Sequence, residues 1–177
     1  MDTPAPSAAE RFPNGPQSFP AAGANSLATI SRRWLARGVD AVLIGVPVLL
    51  ATSVVLVLQA AGDPSAEPAD AAGPTAQAVT WGALVAVAVL YETVTVTLWG
   101  QTLGKLLLGI RVARQVNGRC PLWWEAAVRI ALPGVVATVP HPLAKAAAMA
   151  LYAAAMFDPL RRGVADRAAG TVVVRTR

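Results

Sequence analysis

Asp40 and Glu92 are the two residues of this chain best placed to do chemistry, because each interrupts a run apolar enough to cross a bilayer. A carboxylate inside such a helix costs several kcal/mol on insertion scales, so it needs a partner or a role. Arg37 precedes Asp40 by three residues and Arg33 by seven, which places all three on one helical face. With Arg37 at the interface, Asp40 lies about 4–5 Å deeper. Glu92 precedes Trp99 by seven residues, or roughly 10 Å inside the same border. In an antiparallel hairpin the two carboxylates reach comparable depth, an arrangement suited to binding a cation or exchanging a proton. Two structural readings stand beside that one. Asp40 forms an ion pair with Arg37 that orients the start of the helix, or both carboxylates share Arg33 and Arg37. Glu125 and Arg129 are spaced as an i,i+4 pair that can join either the functional or the structural arrangement. Asp166 lies among Arg161, Arg162, Arg167 and Arg175 and is expected to pair with Arg33 or Arg37 as a structural tie.

Other chemistry is poorly supported by the residues. The stretch Gly100-Gln101-Thr102-Leu103-Gly104-Lys105-Leu106 resembles a phosphate loop only superficially. Three residues instead of four separate its glycines, and leucine follows the lysine where Ser or Thr is required. His141 is the only histidine and Cys120 the only cysteine, so neither a His/Cys metal site nor a Ser-His-acid triad is expected. No enzyme activity, cofactor or metal is expected. The net charge of +5 sits at membrane borders with few aromatics among the bases, which favours anionic lipid over nucleic acid as the partner.

The elements that position these residues follow from the distribution of basic side chains. The chain has 15 Lys and Arg in 177 residues, yet none falls between Arg37 and Lys105. That gap holds two apolar runs joined by a loop whose charges are Asp63, Glu67 and Asp70. Cytoplasmic loops retain Lys and Arg while translocated loops lack them. The pattern predicts a membrane hairpin with both ends in the cytoplasm and an acidic loop outside. An apolar content of 55%, a charged content of 14% and a mean hydropathy of +0.50 agree.

The expected order is a disordered, retained cytoplasmic tail over 1–28, rich in Pro, Ala, Ser and Gly, and then a membrane domain over 29–177. Helices are expected at about 31–60, with Pro47 inside, and 76–99. Trp81 and Trp99 are separated by 18 residues, about 27 Å along a helix, which matches an interfacial aromatic belt. Segments 100–121 and 158–177 are cytoplasmic. The β-branched stretches near 108–112 and 171–174 are candidate strands that pair. Between them, 121–157 is apolar but broken by Pro133, Pro140 and Pro142, giving short helices at about 122–139 and 143–157. Two further crossings are the preferred reading, and an interfacial or re-entrant hairpin is the alternative. The expected fold is therefore an all-α membrane protein, a small bundle of four transmembrane helices with both termini cytoplasmic.

Three blocks in this order resemble the RDD family of bacterial membrane proteins: Arg33 to Asp40, Gly100 to Val112, and Asp158 to Thr171. Arg33 or Arg37, Asp40 and Asp166 match the arginine and two aspartates of that family, and Gly100, Gln101, Thr102, Gly104 and Lys105 match its loop. The resemblance implies a multi-pass protein of the bacterial plasma membrane. It implies either cation/proton or small-ligand transport as a homo-oligomer, or an accessory role within a larger membrane complex. Val164-Ala165 stands where the family commonly carries a polar or aromatic residue, often histidine, before its second aspartate, so this chain lacks whatever proton relay that group would supply.

Overall fold

The first helix, α1 (Ile30–Gly62), runs through Pro47 without breaking. Together with α2 (Pro74–Trp99) it forms the pair long and apolar enough to cross a membrane. The computed structural model describes residues 12–13, 15–62, 73–139 and 141–177. The expected external loop over 63–72 and the tail residues 1–11 and 14 lie outside the described residues. Val57 and Leu58 are each 66% exposed, and Leu50, Val54 and Leu90 are also more than half exposed. A water-soluble domain rarely leaves so much apolar surface open, whereas a bilayer covers it.

Gly100 closes α2 in the left-handed conformation, with φ of 69° and its N–H donated to Val96 O. Glycine suits that position because a Cβ is disfavoured there. The chain then forms a one-turn helix, α3 (Leu103–Leu107), and the strand β1 (Ile110–Arg114). A hairpin of α4 (Trp123–Thr138) and α5 (Pro142–Ala153) follows, ending in a 3-10 turn over Ala154–Met156. The short α6 (Val164–Ala168) leads into β2 (Thr171–Arg175). The strands β1 and β2 pair antiparallel with Val112 opposite Val173, the pairing expected from the two β-branched stretches.

Side chains of this two-stranded ribbon alternate between two apolar clusters, as strand geometry requires. Ile110, Val112 and Val173 pack with Ala28, Ala36, Val96 and Ala126, which ties the ribbon to α1, α2 and α4. Ala113, Val172 and Val174 pack with Phe19 and Leu160 on the other face. That second cluster corrects the expectation of a disordered tail for its described part. Phe19 is buried and meets Phe12 edge-on, and Leu27 bridges to Val174. Two aromatic rings and a strand edge supply the apolar contact that the Pro- and Ala-rich composition concealed.

Candidate functional site

Asp40 is buried and held by three uncharged donors. Thr102 Oγ1 donates to Oδ2 at 2.5 Å, while the Gly104 N–H and the Tyr91 hydroxyl donate to Oδ1 at 2.8 and 3.2 Å. Thr102 also accepts the Lys105 N–H, and Tyr91 Oη accepts the Leu103 N–H. The carboxylate thus saturates the start of α3, where free backbone donors would otherwise be buried. Gly104 is required for this approach. A Cβ on it would overlap the Ala36 carbonyl oxygen and lie 3.0 Å from the Asp40 carboxylate. The Asp40–Arg37 ion pair, one of the structural readings, does not form: Asp40 is engaged by Thr102, Gly104 and Tyr91, and Arg37 lies against Glu92.

Arg37 turns instead to Glu92, at 3.6 Å, and stacks over the Tyr152 ring at 4.1 Å from its centroid. Lys105 lies closer to Glu92, with Nζ 2.8 Å from Oε1, and is only 3% exposed. Burial lowers the Lys105 ammonium to about 8 and Arg129 and Arg37 push in the same direction, while Glu92 opposes them. Asp40 and Glu92 therefore sit on the same part of the hairpin but have separate partners, and they do not form a shared dicarboxylate.

Asp166 joins the C-terminal segment to the helices. It accepts from Arg33 Nη1 at 3.1 Å and lies 2.6 Å from Arg129 Nε, and it also accepts the Gly163 N–H at the start of α6. Burial would raise this carboxyl, but the guanidiniums of Arg129 and Arg33 hold it below its ordinary value. The tie to Arg33 is the one expected from the sequence. The expected Glu125–Arg129 pair is not formed. Glu125 instead accepts the Leu122 N–H at the start of α4 and pairs with Arg114 at 3.1 Å. A carboxylate at the third helical position is drawn back to the free N–H groups of the first turn, which leaves Arg129 to turn toward α6.

Arg33 of the resemblance thus meets its second aspartate, Asp166, and the first, Asp40, meets the loop block; the profile of the RDD family matches residues 27–170. The chain belongs to the RDD family. No curated protein and no solved structure matches it. The family and the two apolar helices identify a membrane protein.

In this RDD protein the loop block works as a clamp. Gly100 ends α2, Gln101 Nε2 donates to Ile110 O at 2.9 Å, Thr102 and Gly104 hold Asp40, and Lys105 meets Glu92. Behind the clamp lies a cavity of about 570 Å³ between α1, α2, α4 and α5. Its walls include Ile44, Gly45, Val85, Ala88 and Gly134, and Arg37, Asp40, Glu92 and Tyr152 line its polar end. Tyr91 and Tyr152 are not singled out by the sequence reading, whereas Arg129 enters it with Glu125. Tyr91 and Tyr152 carried one usable signal, a polar tip in an otherwise apolar helix. The signal at Arg129 was read as pairing within its own helix.

Proposed function

We propose that this RDD protein binds, and as an oligomer moves, a small ligand within the membrane. The cavity of about 570 Å³ supports this reading, being within the size range of small-molecule sites and combining apolar walls with a charged end. Cation/proton exchange fits less well. Glu92 is neutralised by Lys105 and Arg37, and Asp40 is engaged by three donors, so a cation meets mostly positive groups. An accessory or assembly role would rest on the exposed apolar faces, which lipid covers equally well.

The topology we propose has four crossings with both termini cytoplasmic. Lys145, near the start of α5, lies 5.2 Å from the centroid of the Trp81 ring. Trp81 is about 27 Å from Trp99 along α2, so the tip of the second hairpin reaches the level of the far interface. The basic residues of segments 100–121 and 158–177 support a cytoplasmic location for both.

Filling the cavity tests the ligand reading. A Cβ on Gly45 meets open space, so Gly45→Phe can project into the cavity without a backbone clash. Native mass spectrometry of wild-type protein, offered a panel of neutral and anionic amphiphiles in detergent, is expected to show one saturable adduct that Gly45→Phe and Ala88→Phe remove. Equal adducts on wild type and both variants, or none on any, would remove the basis for ligand binding.

A further inference from the structure

A second, smaller cavity of about 40 Å³ lies against the large one, and Trp34, Arg37 and Tyr152 line both. By the same measure a single water needs roughly 10–15 Å³, so the space suits a few waters or one compact oxyanion. Arg33, Arg37, Lys105 and Arg129 surround it. Against these four cations the ion-pair network sets two carboxylates, Asp166 and Glu92. Arg129 is 3% exposed and its Nη1 has no hydrogen-bond partner, and the buried Arg33 Nε is also without one. Buried donors are ordinarily satisfied, and orphaned guanidinium N–H groups beside a cavity point to a missing acceptor. Guanidinium forks match tetrahedral oxyanions, and basic pockets between membrane helices hold anionic head groups.

We infer that the small cavity takes the phosphate of a phosphomonoester amphiphile whose chain occupies the large cavity. This rests on the ligand-binding reading and names its substrate class. Cations outnumber carboxylates around the small cavity even with Asp40 counted beside Arg37, and a phosphomonoester dianion matches that excess better than a phosphodiester. Trp34, Arg37 and Tyr152 border both cavities, so one molecule entering both would pass beside the Arg37–Tyr152 stack. Arg37 reaches the head group while its guanidinium lies against Tyr152, and Trp34 meets Tyr152 edge-on with centroids 6.1 Å apart.

The test compares binding of dioleoyl phosphatidate, dioleoylglycerol, dioleoyl phosphatidylcholine and inorganic phosphate to the full chain in nonionic detergent, by native mass spectrometry and thermal shift. Phosphatidate is expected to bind at least ten-fold more tightly than either other lipid. Inorganic phosphate is expected to compete with phosphatidate and to leave dioleoylglycerol unaffected. Gly45→Phe should weaken both lipids, while Arg129→Lys, which keeps the charge but loses the fork, should weaken phosphatidate alone by about five-fold or more. The wild-type selectivity and competition decide the matter even if Arg129→Lys does not fold. Equal binding of phosphatidate and dioleoylglycerol, both lost in Gly45→Phe, would overturn the phosphate site and leave the cavity reading intact. Failure of every lipid to bind, or lipid binding unaffected by Gly45→Phe, would overturn both. Inorganic phosphate binding as tightly as phosphatidate and unaffected by Gly45→Phe would show a free-anion site and overturn the amphiphile.

Discussion

Lys105 and Glu92 illustrate how strongly single residues are constrained here. The ammonium is 3% exposed and its nearest carboxylate is 2.8 Å away. Removing one member of a buried pair costs about 3–5 kcal/mol because the other charge stays buried alone. Glu92→Gln is therefore expected to lower the thermal midpoint sharply in detergent, and Lys105→Met in the same chain should restore a substantial part of the loss. Arg37 remains as a second cation beside residue 92, so restoration should be incomplete. Additive losses in the double variant, measured by unfolding of purified protein, would show that the two side chains do not interact. Asp40 follows a different rule, since its partners are backbone and hydroxyl donors. It works as a cap for α3, and its three donors are all uncharged.

At the scale of elements, the decisive joint is where α6 meets α1 and α4. Asp166 lies between Arg129 at 2.6 Å and Arg33 at 3.1 Å, and the Arg129 side chain is 3% exposed against 12% for Arg33. The more buried partner loses more when the carboxylate is removed. Asp166→Asn should thus couple more strongly to Arg129→Gln than to Arg33→Gln in double-mutant cycles on thermal stability. Equal coupling would mean that burial does not rank the two pairs. The pH dependence has a definite sign. The Asp166 carboxyl is held below its ordinary 3.8, so its contribution is complete above about pH 4 and fades as pH falls through the folded value. The stability gap between wild type and Asp166→Asn should stay constant from neutral pH to that point and narrow below it. A gap that widens on acidification would contradict the assignment.

For the whole molecule, the arrangement of crossings can be read with single cysteines, because Cys120 is the only native one. In a Cys120→Ser background, Ser65→Cys and His141→Cys are expected to react with a membrane-impermeant maleimide added outside intact cells. Val116→Cys, at a position 78% exposed, should react only after permeabilisation. His141→Cys sharing the behaviour of Val116→Cys would replace the second pair of crossings with a re-entrant hairpin.

Much of this protein was legible in the residues themselves. The basic-free gap marked the two helices long and apolar enough to cross a membrane, because charge and apolar length act on each segment separately. The stretches that became β1 and β2 declared themselves through β-branched alternation, a local property. Asp166 was matched to Arg33 because the start of the first helix offers arginines on the same side as the C-terminal segment, while its nearer partner Arg129 was not foreseen. Tertiary structure decided which of several possible partners each remaining charge took. Arg37 had Asp40 within its own helix and took Glu92 of the next, and Arg129 had Glu125 one turn away and took Asp166 of α6. Tail residues near Phe19 found a sheet face that composition could not foretell. The larger cavity was equally hidden, since it exists only where Gly45, Ala88 and Gly134 from separate helices face one another. Sequence spacing shows which groups can meet along one element. The choice among them depends on burial and competing donors, and those are set only when the elements pack.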